Sequence, residues 1–298
     1  QTDWQLDVLG GYDNNLNGAP DAETVALTLS GEPLFLALNE NYQAIEGPFL
    51  NARVAATHSR LSPEYQDTLY GQIRGRLSDD SSSDVTQFAA RYSRRGSFLS
   101  ASDQASAGLN HLAFLGSSLF TGADASYSGE LAVKGRCSTN LSAALQQQRW
   151  HQQRRLDGLE MRAGAQTACR LGSTASQEVT LGAGLLHNLA IKDNRLGGDR
   201  DGWQLLAGWR VASAQRSISA QINFTSILDG RGFSPLLENN ARRRVARGSV
   251  LVQYRERLGF LVQGLEFVTN MYYQKQKSNI NLYEIIDRSV EVGFSLRF

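Results

Sequence analysis

The chain has 298 residues, with 30 Lys and Arg against 29 Asp and Glu and a formal net charge of +1. That balance argues against a nucleic-acid-binding protein, because such proteins carry a surplus of basic residues that contact phosphates. Hydrophobic residues make up 41% of the chain, but no apolar run reaches the roughly 18 residues of a transmembrane helix. A membrane helix is therefore excluded, although 28 Gly, 12 Phe and 10 Tyr against 5 Pro are unusual for a simple soluble protein.

The chain opens at Gln1 without the Met, the charged segment and the apolar segment of a signal peptide. We expect that a signal peptide has been removed or that the chain is the C-terminal part of a longer protein. Residues 1–298 are predicted to form a single domain.

Apolar and polar residues alternate from the first segment of the chain to the last. Residues 4–12 carry apolar side chains or Gly at even positions, and residues 290–298 carry an apolar residue at every even position. Because side chains point alternately to the two faces of a strand, this period of two predicts strands with one apolar and one polar face. A helix would scatter the same residues around its axis.

The pattern predicts fourteen strands. They cover about residues 4–13, 47–60, 66–77, 84–95, 98–114, 118–134, 138–150, 156–171, 176–189, 201–212, 215–227, 244–257, 260–276 and 287–298. Most are about ten to fourteen residues long, which suits a tilted strand that crosses a bilayer, whereas sandwich strands have about five or six. We predict an all-β fold, a closed antiparallel transmembrane β-barrel of 14–16 strands. The alternative is a soluble β-sandwich, which also alternates.

The connections between these strands alternate in character. Segments 14–46, 190–200, 228–243 and 277–286 are long and polar, whereas segments 61–65, 172–175, 213–214 and 258–259 are short. Long extracellular loops and short periplasmic turns are the pattern of outer-membrane barrels. An even strand number places both termini on the periplasmic side, so we predict an integral protein of the Gram-negative outer membrane.

Segment 14–46 contains a possible extra hairpin, with apolar residues in 25–29, a turn at Gly31-Glu32-Pro33 and apolar residues in 34–38. If this hairpin joins the wall, the barrel has sixteen strands. If it does not, we expect an extracellular flap or a plug in the lumen.

Aromatic residues are predicted to face outward near both ends of the barrel. Tyr12, Trp150, Trp203 and Tyr273 fall near the external end, and Trp4, Tyr92, Trp209, Tyr254 and Phe298 fall near the periplasmic end. Aromatic rings prefer the two membrane interfaces. The alternative is that they are ordinary strand aromatics, which are enriched in any sheet.

The four histidines give little indication of catalysis. His58 and His187 are predicted to face outward at opposite ends, His151 lies in a loop, and His111 completes the set. None has a Ser or carboxylate partner at a suggestive spacing, and no metal-binding spacing or phosphate-binding Gly-rich loop occurs. We predict that the protein is not an enzyme and binds no metal and no cofactor.

Two cysteines are predicted to face each other near the periplasmic rim. If strands 138–150 and 156–171 form a hairpin with Trp150 opposite Leu156, antiparallel pairing also places Cys137 opposite Cys169. Facing residues lie about 4.5–5.5 Å apart at Cα, within disulfide range, and the periplasm is oxidising. The alternative is two free thiols in a bulged hairpin.

The polar faces of the strands are predicted to line a water-filled lumen, since barrels of about sixteen strands leave an aqueous channel. The predicted pore-lining residues are Asp7, Arg53, Tyr70, Arg74, Arg76, Arg91, Glu160, Arg162, Glu178, Arg210, Arg247, Arg255, Glu266, Glu291 and Arg297. Mixed charges, amides and Tyr suit a hydrated polar chain such as a polysaccharide. The alternative is a set of ion pairs that only stiffens the wall.

Two basic runs, Arg242-Arg243-Arg244 and Arg154-Arg155, fall at predicted loop edges. There they would contact anionic lipopolysaccharide or simply remain solvated. Outer-membrane lipid and lipopolysaccharide are therefore predicted partners, and nucleic acid is not.

The final segment, Val290–Phe298, resembles the C-terminal signature that the barrel-assembly machinery of the outer membrane reads, carried here by Phe294, Leu296 and Phe298. This resemblance implies an outer-membrane barrel and makes the assembly machinery an expected partner.

The opening segment, Gly11–Asp21, resembles the first strand and loop of barrels that follow periplasmic tetratricopeptide repeats. Two such families are similar: the Pel-type, poly-N-acetylglucosamine and cellulose exporters, and the surface lipoprotein assembly modifiers (Slam), whose barrels begin with a related Asp-Asn-Asn stretch. The resemblance implies an export pore for a biofilm exopolysaccharide. The alternative is surface lipoprotein translocation, and a general diffusion porin is third. Resemblance to either family of exporters implies repeats before Gln1 and periplasmic or lipoprotein secretion partners.

Overall fold

The computed structural model describes residues 1–29, 32–39, 42–97, 99–100, 102–172, 176–259 and 261–298. Gly31 of the predicted hairpin turn, Phe98 and Phe260 at predicted strand ends, and residues 173–175 of a predicted turn lie outside this range. The strands are β1 (Thr2–Asp13), β2 (Thr24–Leu29), β3 (Glu32–Ala37), β4 (Gly47–Leu61), β5 (Tyr65–Ser78), β6 (Val85–Gly96), β7 (Asp103–Phe114), β8 (Ser117–Lys134), β9 (Cys137–Trp150), β10 (Gly158–Leu171), β11 (Ser176–Ala190), β12 (Arg200–Ala212), β13 (Arg216–Ser234), β14 (Leu237–Arg257), β15 (Leu265–Ser278) and β16 (Ile285–Arg297). Short 3-10 turns cover Ser81–Ser83, Arg154–Leu156 and Asn281–Tyr283.

The long strands form a closed antiparallel barrel, in which β1 pairs with both β4 and β16. Closure pairs both edges of each described wall strand, which is what lipid requires of a spanning backbone. β2 and β3 form a separate two-stranded sheet, so the barrel has fourteen strands rather than sixteen. The prediction of a closed β-barrel is confirmed. Within the described ranges, no helix combines the length and hydropathy of a membrane span.

The two ends of the barrel differ in their connections. We call the end that holds Gln1 and Phe298 the turn side and the opposite end the loop side. The loop side carries the connections 14–46, 79–84, 151–157, 191–199 and 279–284 and two two-residue turns at 115–116 and 235–236. Most connections on the turn side are shorter, as the sequence predicted.

Segment 228–243 is not the loop that the sequence predicted. β13 and β14 continue through it to the turn at 235–236, the pairing register shifts on either side of Gly232, and residues 238–240 have positive φ values. Bulged pairing of this kind removes the alternation of period two, so the pattern resembled a loop. The predicted turn 258–259 is also wrong, because the connection spans 258–264.

The β2–β3 hairpin lies on the loop-side rim, outside the barrel wall. The Thr28 backbone N–H donates to the Leu236 carbonyl at 2.8 Å, and the Asn239 N–H donates to the Thr28 hydroxyl at 3.3 Å. The Asn281 side-chain amide donates to the Thr24 carbonyl at 3.0 Å. The hairpin is therefore held by the tip of β13–β14 and by the turn before β16.

The outer face of the barrel carries apolar side chains that remain exposed. Leu181 is 60% exposed, Leu185 69% and Ile222 53%. All three lie on the face opposite the polar inner positions, because successive side chains of a strand alternate. An apolar surface that surrounds a closed barrel marks contact with lipid.

Of the nine aromatic residues predicted to face outward, eight do so. Pairing places Trp4, Tyr12, Tyr92, Trp203, Trp209, Tyr254 and Tyr273 on that face, and Phe298 is exposed at the C terminus. Trp150 is not outward, because it pairs with Phe120 on the inner face, with ring centroids 5.1 Å apart. The prediction failed because the run Gln146–Gln148 is polar at every position, so alternation does not identify the outer face there.

The β9–β10 hairpin has the pairing register that the sequence predicted. Gln148 lies opposite Gly158, and Cys137 lies opposite Cys169 near the turn side. The two cysteines form a disulfide, with Cα atoms 4.0 Å apart. The bond therefore staples two strands that are already neighbours in the wall.

Candidate functional site

The pairing register places every predicted pore-lining residue on the inner face of the barrel. Asp7 faces Arg53, Arg53 faces Arg74, and Glu178 faces Arg210, each across one strand pair. The inner face divides into two regions of different chemistry. We call the inner faces of β14–β16, β1, β4 and β5 the charged wall, and the central inner face of β9–β13 the amide wall.

The charged wall is built from ion pairs and amide bridges. Arg53 Nε lies 2.7 Å from Asp7 Oδ2, and Arg74 Nη2 lies 3.8 Å from Glu291 Oε1. Arg74 Nε also donates to Asn51 Oδ1 at 2.9 Å, and the Asn51 amide donates to Glu291 Oε1 at 3.4 Å. These contacts span β1, β4, β5 and β16, so Arg53 has an anionic partner and Arg74 has both an anionic and an amide partner elsewhere on this wall.

The same network continues onto β14 and β15. Asn270 donates to Glu291 Oε2 at 3.2 Å and accepts from Gln253 Nε2 at 2.8 Å. Arg255 donates to Gln253 Oε1 at 2.9 Å and pairs with Glu266 Oε2 at 3.2 Å. The side chains enclose a cavity of about 250 Å³ that opens into the lumen.

At the loop side, the segment after β1 folds against the charged wall. Arg76 Nη1 lies 3.5 Å from Asp13 Oδ2, and its Nη2 donates to the Leu16 carbonyl. Leu16 is buried, and the Asn15 amide donates to the Ala19 carbonyl at 2.9 Å. The charged wall is thus continuous with a folded segment at its loop-side end.

The amide wall carries uncharged, hydrogen-bonding and small side chains. Its polar and glycine inner positions include Ser142, Gly164, Gln166, Thr180, Gly182, Gly184, Gln204, Gly208, Gln221, Asn223 and Thr225, and the apolar Leu206 lies between Gln204 and Gly208. Two cavities of about 150 and 420 Å³ lie against it. In the described part of the chain, the side chains of Gln166 and Gln204 make no hydrogen bond. The sequence reading missed these amides because it selected charged residues, although they share even positions with Arg162 and Arg210.

Charges flank the amide wall at its two ends. Toward the loop side, Arg162 Nε donates to Glu160 Oε1 at 2.6 Å, and the Gln148 amide donates to Glu160 Oε2 at 3.3 Å. Toward the turn side, Glu178 and Arg210 face each other on β11 and β12. The centre of the wall between them is uncharged.

A buried charge cluster lies at the loop-side end of this wall, where loop 191–199 meets it. Asp229 is fully buried, and its Oδ1 lies 3.1 Å from Arg243 Nη2 and 3.3 Å from Arg200 Nε. Arg195 is buried beside them. Desolvation lowers the pKa of the Arg195 guanidinium, and the Asp229 carboxylate opposes that shift. The cluster holds loop 191–199 against the wall.

The two basic runs have different surroundings. Arg243 is not at a loop edge as predicted; it is buried in β14, with its guanidinium 4.3 Å from the Tyr283 ring centroid and 4.8 Å from that of Phe233. The prediction failed because 228–243 belongs to strands, which turn every second side chain inward. Arg154 and Arg155 are exposed beside a loop-side turn.

All four histidines have polar partners that sequence spacing did not reveal, including Thr2 for His58 and Thr121 for His151, both at 2.8 Å. His187 Nδ1 lies 2.6 Å from Asp201 Oδ1, while His111 lies 2.9 Å from Thr121 Oγ1 and 3.4 Å from Ser118 Oγ. The partners come from neighbouring strands, so spacing along one segment does not show them. The groups around His187 and His111 lie on the outer face and not in the lumen. Among the described residues, no group of three His, Cys, Asp or Glu side chains is placed to hold a metal ion.

No protein-family model matches the chain, and no curated protein matches it in sequence. Solved structures match it in fold. A bacterial polysaccharide outer membrane secretin has a TM-score of 0.50 at 10% identity, covering 99% of this chain and 98% of that chain. Acinetobacter baumannii OccAB4 has a TM-score of 0.54 at 8% identity, covering 100% and 98%. An anion-selective porin from Comamonas acidovorans has a TM-score of 0.43 at 10% identity, covering 100% and 99%.

At these identities the likeness concerns the fold alone. The fold is that of an outer-membrane β-barrel, and the apolar outer face agrees with it. The lumen is lined by polar side chains along its length and holds several cavities. Together these features support an outer-membrane channel.

Proposed function

We propose that the barrel is an export channel for a secreted exopolysaccharide, a polymer of the biofilm matrix. The observation that carries the proposal is the amide wall, where Gln166 and Gln221 are exposed toward the lumen beside small inner residues. Amides both donate and accept hydrogen bonds, which suits the hydroxyl groups of sugars. The resemblance of 11–21 to barrels that follow periplasmic repeats supports the same function.

In this proposal the turn side faces the periplasm and the polymer leaves at the loop side. Repeats that precede Gln1 would deliver the polymer. The exposed Arg154 and Arg155 would contact lipopolysaccharide at the loop side. The barrel-assembly machinery would recognise the last strand, where Trp4 and Phe298 exchange backbone hydrogen bonds at 2.8 and 3.1 Å across the closure of the barrel.

Charge reversal in the lumen tests the proposal. We expect Arg74→Glu with Arg210→Glu to abolish polymer secretion, because the first change opposes Glu291 and the second opposes Glu178. Secretion is measured in cells that carry the variant as the sole copy, with barrel abundance in the outer membrane measured in parallel. Lys275→Glu with Lys277→Glu is the matched control, since it makes the same charge change on the outer face. Wild-type secretion in the lumen variant would contradict the proposal.

Two other functions make different forecasts. A translocator of surface lipoproteins would lose display of a lipoprotein in the lumen variant while polymer secretion stays intact. A general diffusion porin, which the barrel fold fits equally well, would show a steady open conductance in planar bilayers without any loop deletion. Gene neighbours that encode a polymer synthase or a lipoprotein would separate the first two.

A further inference from the structure

We propose that the amide wall is the track along which the cargo moves, and that this cargo is an electrically neutral sugar chain. The inference rests on the export function proposed above and adds to it the path and the charge class of the polymer. The inference follows from how many polar side chains on each wall remain available to bind a polymer in the lumen.

The charged wall has few free groups to offer. Arg53 is paired with Asp7, Arg74 with Glu291, and Arg255 with Glu266, at distances of 2.7, 3.8 and 3.2 Å. A charged polymer that bound there would have to compete with a partner that each of these side chains already has. The charged wall therefore acts as the framework of the lumen and not as its binding surface.

The amide wall has free groups of the opposite kind. In the described part of the chain, the Gln166 and Gln204 amides have no hydrogen-bond partner, and Gln221 is exposed and contacts only Asn223, at 3.2 Å. Each amide has donors and an acceptor, so it bonds a hydroxyl or an N-acetyl group in either direction. The centre of this wall has no fixed charge to hold or repel an ion, and it therefore favours a neutral chain.

The backbone of the amide wall leaves room for such a chain. A Cβ added at Gly208 would lie 3.5 Å from its nearest neighbour, and one added at Gly182 would lie 3.4 Å away, which are ordinary contacts. Neither glycine has positive φ or an essential close approach to backbone. What they contribute is space, since a cavity of about 420 Å³ lies over Gly208.

A row of weak hydrogen bonds also suits the movement of a sugar chain through the lumen. Conduction needs sites that bind well enough to admit the cargo and weakly enough to release it. Neutral hydrogen bonds that replace bonds to water meet this condition, whereas charge-assisted bonds are about twice as strong. A row of amides lets a sugar chain exchange one bond for the next.

Binding of three hexasaccharides to the detergent-solubilised barrel, measured by saturation-transfer NMR, tests the inference. The probes are the neutral hexamer of N-acetylglucosamine, its cationic deacetylated form and the anionic hexamer of galacturonic acid. We expect the neutral hexamer to bind at least about fivefold more tightly than either charged hexamer, the effect of one hydrogen bond. Tighter binding of a charged hexamer, or no binding of any hexamer, overturns the inference.

Two double variants locate the site. Gln166→Ala with Gln204→Ala should weaken binding of the neutral hexamer by about 10- to 30-fold, because two bonds are lost. Gln72→Ala with Gln274→Ala is the matched control and should change it less than about twofold, since these amides already accept from Tyr70 and Tyr272 at 2.6 and 2.9 Å. Equal losses in both doubles would refute the track.

The results can show that the neutral track is wrong without showing that the export function is wrong, and the reverse. If cells secrete the polymer but charged hexamers bind best, the export function stands and the neutral track is wrong. If the neutral hexamer binds to the amide wall but cells that lack the barrel secrete the polymer normally, the wall binds sugars and the export function is wrong.

Discussion

The two walls of the lumen use the same strand geometry and fill their inner positions in opposite ways. On the charged wall, long side chains such as Arg53 and Arg255 reach across the sheet and pair with the carboxylates of Asp7 and Glu266. On the amide wall, Gly182 lies opposite Gln166 and Gly208 lies opposite Thr180 and Gln221, and in the described part of the chain the Gln166 amide makes no hydrogen bond. One wall therefore fixes its polar groups and the other leaves them available, so a count of charged residues alone does not locate the functional surface of a barrel.

Filling the amide wall should have the largest effect. We expect Gly208→Trp to reduce polymer secretion at least about tenfold, because the indole would occupy the cavity while the added Cβ fits without clash. Gly75→Trp is the control: Gly75 faces outward, and nothing lies within 4 Å of an added Cβ. Equal secretion in the two variants, at equal barrel abundance, would remove the distinction between the walls.

The buried cluster at the loop-side end of the amide wall should matter most for stability. Asp229→Ala leaves the buried Arg243 and the half-buried Arg200 without their carboxylate, and breaking a buried pair costs about 3–5 kcal/mol. The free energy of unfolding in urea, measured on the barrel in detergent, should fall accordingly. Asp193→Ala, at an exposed position in the adjoining loop, should leave the free energy of unfolding unchanged. Similar losses at both positions would show that the cluster does not hold loop 191–199 against the wall.

A disulfide between Cys137 and Cys169 links two strands of the amide wall near its turn-side end. Replacing Cys137 and Cys169 by Ser should lower the free energy of unfolding by about 2 kcal/mol, because the disulfide limits the unfolded chain. Adding a reductant to the wild-type protein should lower it to the same value and should leave the Ser variant unaffected. Non-reducing mass spectrometry that recovers both cysteines as free thiols would contradict the assignment.

Loss of one carboxylate from the charged wall should have the smallest effect. Asp7→Asn leaves Arg53 without its ion-pair partner, and we expect a loss of about 1 kcal/mol in stability because the pair is partly hydrated. The lumen also gains one net positive charge, so the reversal potential of the channel in a salt gradient should shift toward anions. Gln166→Asn on the amide wall should shift neither quantity, and an equal shift there would weaken the comparison.

Much of the fold could be predicted from the sequence because a lipid-facing strand has one strict requirement. Every second residue must be apolar, and in segments such as 290–298 the alternation therefore shows which side chains face lipid. The pairing of Cys137 with Cys169 followed from the same arithmetic. Predictions failed where that requirement is relaxed: around Trp150, where both faces of the strand are polar, and in 228–243, which includes a β-bulge.

The candidate site was less predictable from the sequence. Alternation identified the inner positions of Arg74 and Glu291, but it does not show which polar groups are bonded to each other. That depends on neighbours several strands away, as for Asn270 and Glu291. The availability of Gln166 is likewise a property of the closed barrel and has no signal in the local sequence.

Measuring the water accessibility of the two faces tests whether the exterior contacts lipid and whether the amide wall is hydrated. Single cysteines are introduced at Gln166 and at Leu181, which lie on neighbouring strands and on opposite faces, and outer-membrane vesicles are treated with a water-soluble maleimide. We expect labelling of Gln166→Cys and protection of Leu181→Cys until detergent is added. Labelling of Leu181→Cys in intact vesicles, or protection of Gln166→Cys, would contradict this expectation.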